Sequence, residues 1–355
     1  MVRFLKEIDF LLVTPALLLS SLGLLLIFST SFESDPSFFV RQAVYIAFSL
    51  FIFLVISRLD FKAITHLSPI FYVFLIGLLV LTFVTGVQVR GSVRWIDLGF
   101  ITVQGSELAK PILVLTFASF LTRFPVSKLK YFLISIGLLF GPLILIARQP
   151  DLSNSLILFA TWAFIAFMAG ISLIYVFIFS GTLLLGAPFI WNFFLKGYQK
   201  ARLISFFNPN FDPQGANYNV VQALIALGSG QLTGRGLGRG TQFHLDFLPE
   251  GRTDFIFSVA GEELGFIGLG LIVILLGFLI SRVLKIALSL KTSAGVLFCY
   301  GAAFLLSAQF FINAAMNMGI FPVSGITLPF ISFGGSSITS MFILIGLVQS
   351  AKNSK

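Results

Sequence analysis

Charge is scarce in this chain. Of its 355 residues only 10% are Asp, Glu, Lys or Arg, against roughly 25% in a soluble domain. So few charges cannot cover a water-facing surface, which excludes a soluble globular enzyme. Hydrophobic residues reach 57% and mean hydropathy is +1.01, which excludes a disordered chain. Cysteine is nearly absent. The single Cys299 lies in an apolar run, so no intramolecular disulfide and no Cys-based zinc site can form. No internal repeat is visible, so the inverted-repeat signature of many transporters is missing. A nucleotide cradle is missing too. The glycine-rich GRGLGRG at 234–240 does not fit G-x-G-x-x-G and lacks a following Lys-Ser/Thr. It reads as a flexible loop.

What is abundant is long apolar runs. A membrane-spanning helix needs about 20 mostly apolar residues. Ten windows qualify: 10–30, 38–57, 67–86, 107–122, 131–147, 155–171, 173–195, 255–281, 293–316 and 336–350. The expected fold class is therefore an all-α polytopic membrane protein with about ten transmembrane helices. Residues 1–355 are expected to form one domain, with a long extracytoplasmic loop, about 196–254, between helices seven and eight. The first run lacks the small-residue exit of a cleaved signal peptide and reads as a retained helix. The formal net charge is +9, and its distribution gives orientation. With the N-terminus inside, twelve of the 23 Lys and Arg residues fall in inner segments. Only Arg90, Arg94 and Arg148 fall in short outer loops. Cytoplasmic loops collect Lys and Arg, so both termini are expected in the cytoplasm. The positive balance is thus a topology signal, and nucleic acid is not an expected partner. Eleven of the fourteen acids lie outside or near outer helix ends, so the polar chemistry is expected on the outer face.

Four outer segments carry residues that are costly near lipid. In 90–110, Glu107 and Lys110 are three apart at a helix start and can pair on one face. Lys110 and Arg94 could alternatively bind an anionic head group. In 148–155, Asp151 precedes a helix and can cap it, beside Arg148. In 196–254, YNVVQALIAL at 218–227 reads as a short amphipathic helix. That segment ends with Arg252 and with Asp254 at the mouth of the eighth helix, where the carboxylate could serve as a cap. Glu262 and Glu263 lie deeper and need a partner or a cavity. In 317–337, Pro322, Pro329, Gly334 and Gly335 break any helix. Broken backbone at membrane depth is tolerated where it lines a cavity. These features suit an amphiphilic anion such as a lipid-linked phosphate. They do not choose between an enzyme and a transporter.

The motifs resemble those of the SEDS family, the RodA, FtsW and SpoVE group. They are RWIDLG at 94–99, QGSELAK at 104–110, QPDL at 149–152, LPEGRTDFIFSVAGEELG at 248–265 and GITLPFISFGGSS at 325–337. The resemblance covers nearly the whole chain. It implies a peptidoglycan glycosyltransferase of the bacterial cytoplasmic membrane that polymerises lipid II with its active site facing outside. The implied partner is a class B penicillin-binding protein. Short termini lean towards the elongation type. Arg252 stands where members commonly carry His. The family's essential aspartate maps onto Asp254, implied as general base for a sugar hydroxyl. The pyrophosphate leaving group would then call for cations, with Arg94, Lys110, Arg148, Lys200 and Arg202 as candidates. Glu107, Asp151, Arg252, Glu262, Glu263, Pro329, Ser332, Gly334 and Gly335 would support the site. A divalent cation, Mg²⁺ or Mn²⁺, is left open as cofactor. The alternative functions are a lipid II flippase and a non-catalytic scaffold for the penicillin-binding partner.

Overall fold

A computed structural model describes residues 8–32, 35–89, 92–97, 99, 102–208, 215, 217–245 and 247–354. Arg90, counted above among the outer cations, lies outside the described residues. So do Arg3, Lys6 and Lys355, counted among the inner ones.

Each of the ten apolar windows falls on a helix. They are α1 (Phe10–Ser31), α2 (Ser37–Ile56), α4 (Ser68–Thr85), α5 (Gly105–Arg123), α6 (Leu129–Arg148), α7 (Leu152–Met168), α8 (Leu173–Phe189), α12 (Ile256–Ser289), α13 (Ser293–Asn317) and α14 (Gly335–Asn353). A short α3 (Phe61–His66) precedes α4, and α8 runs on as a π-helical turn, Ile190–Phe194. Seven of these are long and apolar enough to cross a membrane: α1, α2, α4, α6, α8 with its π turn, α12 and α13. Helix α7 is apolar but has 17 residues. Helices α5 and α14 have 19 residues each, carry polar groups, and are buried along most of their length. They can be polar because protein, not lipid, surrounds them. The lipid-facing character sits on other helices. On α8, Phe177 is 75% and Leu185 85% exposed.

The long segment before α12 is not one loop. It holds α9 (Gly197–Phe207), α10 (Tyr218–Ser229) and α11 (Thr241–His244). Helix α10 matches the expected amphipathic helix. Its small residues Ala223 and Ala226 are buried, and its Leu227 packs against Gly261 of α12. Val221, Leu224 and Ile225 remain exposed on the other side.

Between α4 and α5, where a short outer loop is expected from the sequence, the chain forms a three-stranded antiparallel sheet. Its strands are β1 (Val87–Val89), β2 (Ser92–Asp97) and β3 (Thr102–Gln104), in that order, with Trp95 paired to Gln104. The period-two pattern VQV and SVRWID around Arg90-Gly91 carries the signal. Strand β3 leads directly into α5 and so fixes where that helix starts.

The end of the bundle nearest the N-terminus is closed by one carboxylate. Asp9 caps α1 by accepting from the Leu11 N–H at 3.1 Å. It also accepts from Arg282 Nε of α12 and Lys352 Nζ of α14, both at 2.9 Å. Its own N–H donates to Gln349 Oε1 at 2.9 Å. Three helix ends therefore meet on Asp9. Burial alone would raise its pKa, but the hydrogen bonds from Arg282 and Lys352 outweigh it and hold the pKa below the usual carboxylate value. A depressed carboxyl pKa stabilises the fold above the unfolded value, about 3.9, and that stability is lost as pH falls through the depressed value. Asp9→Asn should lower the thermal unfolding midpoint at neutral pH. The gap from wild type should close as the buffer is taken below pH ~4. A gap that does not change with pH would contradict the ion-pair account.

Candidate functional site

At the other end, α12 starts at Ile256, and the preceding turn carries Asp254. Phe255 holds the N-cap position and makes no side-chain cap bond. The backbone at Asp254 is fixed. Three consecutive carbonyls of the turn are each held from outside. Phe333 N–H donates to Arg252 O at 2.9 Å, and Ser332 Oγ to Thr253 O at 2.7 Å. Asn313 and Asn317 Nδ2 donate to Asp254 O at 2.9 and 3.1 Å. Asn317 Oδ1 also accepts from Ser258 N–H and Oγ, at 3.1 and 2.6 Å, and so ties down the first turn of α12. The Asp254 side chain itself is only half-buried.

The wall beside it is the non-helical segment 318–334. Asn313 Nδ2 also donates to Ile326 O at 2.7 Å, which brings this wall against the turn. Gly325 has a φ of +70°, and a Cβ built there would lie 3.3 Å from Asp254 Oδ2. Only glycine takes that conformation freely while passing so near the carboxylate. Pro329 then sets a tight turn. Phe330 adopts a φ of 66°, held because its ring is buried against Phe342 at 5.5 Å. Ser332 Oγ accepts from Leu328 N–H at 2.8 Å as it donates to Thr253. Gln42 of α2 brackets the next stretch, accepting from Gly334 N–H and donating to Ser332 O. Gly335 lies flat against the ring of Tyr45. Arg252 donates to Thr30 O, with its guanidinium 4.5 Å from the Phe38 ring and 5.0 Å from that of Phe243.

A second polar cluster sits where α5 and α7 begin. Lys110 Nζ pairs with Glu107 Oε1 at 2.6 Å, with both side chains enclosed. Asn154 Nδ2 donates to Asp151 Oδ2 at 2.9 Å and to Glu107 Oε1 at 3.4 Å. Ser106 Oγ donates to Asp151 Oδ2 at 2.8 Å. Asp151 also caps α7, accepting weakly from Asn154 N–H at 3.4 Å. Arg94 of β2 clamps the preceding turn through Gln149 O at 2.9 Å and through Pro150 O. Lys110 is 0% exposed, so it serves as a counter-ion here and reaches no ligand in this arrangement. Arg94 is spent on backbone. The two clusters are joined by the 325–337 segment: Ser336 Oγ accepts from Gln104 N–H at 2.9 Å. Arg148 and Arg202 are exposed and Lys200 is half-buried.

Glu262 and Glu263 find the partners they need. Glu262 Oε1 accepts from Thr241 N–H at 2.7 Å and Gln242 N–H at 3.2 Å, which starts α11. Glu263 Oε1 accepts from Ser29 Oγ at 2.6 Å and Gly238 N–H at 3.2 Å. The glycine-rich segment is docked, not free. Helix α12 breaks at Gly265, whose φ is 66°. The loop takes over the freed backbone groups. Arg235 and Gly236 N–H donate to Glu262 and Glu263 O, and Phe266 and Ile267 N–H donate to Gln231 and Leu232 O.

The residues that sequence reasoning missed are Asn313, Asn317, Gln104 and Ser336. Two Asn at i, i+4 in an apolar helix were the available signal. Among the described residues, no group of three or more His, Cys, Asp or Glu is placed to hold a metal ion.

The fold and this site define a polytopic membrane protein with a built polar centre at one end of its helix bundle. The chain belongs to the FtsW/RodA/SpoVE family of cell cycle proteins, which it matches over residues 9–355. It is 37% identical over 344 residues to the peptidoglycan glycosyltransferase MrdB of Escherichia coli K12, covering 95% of this chain and 92% of that one. It is 34% identical to the stage V sporulation protein E of Bacillus subtilis 168, covering 96% and 95%. Among solved structures it resembles a chain of a peptidoglycan synthase complex that coordinates polymerization and crosslinking. That match has a TM-score of 0.81 and 28% identity, with 97% of each chain covered. The rod shape determining protein RodA of Thermus thermophilus matches with a TM-score of 0.71 and 26% identity, covering 97% of this chain and 96% of that one.

Two outcomes are expected. Asn317→Leu removes the partner of Ser258 and one of the two donors to Asp254 O. It should cost about 1–3 kcal/mol of stability and lower activity, read by thermal unfolding beside the polymerisation rate. Wild-type values for both would contradict the anchoring role. Glu107→Ala leaves the Lys110 charge buried and unpaired, which should cost about 3–5 kcal/mol. The double variant Glu107→Ala, Lys110→Met should regain much of that stability in the same unfolding assay. A single variant as stable as wild type would contradict the pairing.

Proposed function

We propose that this chain is a peptidoglycan glycosyltransferase that polymerises lipid II, with Asp254 as general base. The observation that carries the reading is the half-buried Asp254 carboxylate on a turn whose three carbonyls are externally fixed. A sugar hydroxyl is a poor nucleophile until its proton is removed. A carboxylate held in place removes it as the new C–O bond forms, which contributes typically 10²–10⁴-fold in rate. The rigid backbone matters because a base must keep its geometry through the reaction. Direct displacement at the anomeric carbon turns an α-linked donor into a β-linkage. The bond to the lipid pyrophosphate breaks, and the pyrophosphate leaves with the electron pair. It needs no general acid of the kind glycosidases use.

Cations near the site favour that departure. Arg148 and Lys200 are the residues proposed for it, since Lys110 is enclosed and Arg94 holds backbone. Glu107, Lys110, Asp151 and Arg94 then act as the frame that positions α5 and α7. A divalent cation, Mg²⁺ or Mn²⁺, is a separate proposal tested by chelation, and no step here is routed through one. The setting proposed is the bacterial cytoplasmic membrane, with residues 1–355 as one ten-span unit. Both termini lie inside and Asp254 faces out. The proposed partner is a class B penicillin-binding protein, which crosslinks the strands made here.

Asp254→Asn keeps the shape of the side chain and removes its basicity. With the partner present, it should reduce glycan formation from labelled lipid II by at least about 10²-fold, with an unchanged unfolding midpoint. Glycan strands at the wild-type rate would overturn the assignment.

A further inference from the structure

An open groove of about 190 Å³ lies between α9, α10 and the segment 319–323. Small-molecule sites are mostly apolar with a few placed polar groups. Phe206, Val220, Val221, Leu224 and Phe321 form its apolar wall, and Arg202 lies among them. Among the described residues no carboxylate pairs with Arg202. Its guanidinium rests 5.7 Å from the Tyr198 ring and donates to Val323 O at 3.4 Å.

That last contact places the groove relative to Asp254. Val323 and Gly325 are two residues apart, a reach of at most about 7 Å. Gly325 passes close to the Asp254 carboxylate, since a Cβ built there would lie 3.3 Å from Oδ2. Arg202 and Asp254 therefore flank one short stretch of backbone. They are near enough to hold two ends of one molecule.

A lipid-linked disaccharide presents two such ends. In the donor, the pyrophosphate is bonded to the reacting carbon itself. In the acceptor, the attacking hydroxyl is on the outer sugar and the pyrophosphate is on the inner one. A base and a cation serving the acceptor must stand a disaccharide apart. An Arg fork can take the phosphate oxygens in pairs, and an isoprenoid chain suits an apolar groove. We propose that this groove is the acceptor-lipid subsite, with Arg202 on the acceptor pyrophosphate and the prenyl chain along Val220, Val221 and Phe321. This rests on the glycosyltransferase reading and adds to it a division of labour: Arg202 holds the acceptor and takes no part in leaving-group departure.

The test uses the full chain with its penicillin-binding partner in nanodiscs. Lipid II is titrated against wild type, Arg202→Gln, Arg202→Lys and the groove-filling Val221→Trp. Loss of one charge-assisted contact should raise KM about tenfold in Arg202→Gln, with kcat little changed and partial recovery in Arg202→Lys. Val221→Trp, at an exposed position, should raise KM in the same way without changing the unfolding midpoint. In parallel, a photoactivatable polyprenyl pyrophosphate probe should label peptides that contain Val220–Leu224 and Phe321–Val323. Excess undecaprenyl pyrophosphate should block that labelling and phosphatidylglycerol should not. Unchanged KM in both Arg202→Gln and Val221→Trp would overturn the proposal, as would labelling elsewhere. Equal competition by phosphatidylglycerol would make the groove a bulk-lipid site and also overturn it. Groove labelling in an intact complex that makes no glycan would fault the glycosyltransferase reading and overturn the acceptor role, while sustaining the prenyl pyrophosphate site.

Discussion

Buried irregular backbone survives only if its freed N–H and C=O groups find partners inside the protein. This constraint organises the whole end of the molecule that carries Asp254. The turn before α12 frees three carbonyls, and α13 and the 325–335 segment supply donors for them. The break at Gly265 frees another set of backbone groups, and the 231–236 loop supplies those partners. Each bond satisfies a buried polar group and also fixes a coordinate. The solution to a solvation problem is thus a rigid mount for one half-buried carboxylate.

The same logic explains the charges. Two buried carboxylates, Glu107 and Asp151, share a network with Lys110, Ser106 and Asn154, and Arg94 grips the adjoining turn. Such pairs add little net stability, since desolvation offsets much of the Coulomb gain. What they add is position. Removing one partner strands the other, so helix starts and the sheet strand that feeds them are held in register. Ser336 carries this frame across to the wall of the Asp254 turn. At the opposite end, roughly 40 Å away along α12, Asp9 performs the same service for three helix ends with a single carboxylate.

Much of this was legible in the sequence, and the reasons are physical. A bilayer imposes a length on apolar runs, so all ten windows fell on helices. The Glu107–Lys110 pair followed from helical spacing. The need of Glu262 and Glu263 for partners followed from their depth. Other features were hidden. Gly265 sits in a run that reads as continuous helix, because one glycine alone does not mark a break. Strands of three to six residues are too short to stand out against loop. Asn313 and Asn317 carry no charge, so a reading led by charge passed over the side chains that hold Asp254 in place. Burial also changed roles that spacing left open: Lys110 and Arg94 looked free to meet an anion and are committed inside the protein.

The central claim is that a fixed carboxylate at position 254 takes a proton from a sugar hydroxyl. The most direct measurement is chemical rescue. Glycan formation from lipid II is followed for Asp254→Ala, with the penicillin-binding partner present, in the absence and presence of formate. The variant should be inactive alone, and formate, standing in for the missing carboxylate, should restore measurable polymer. Wild-type polymerisation by Asp254→Ala without any added carboxylate would contradict the account.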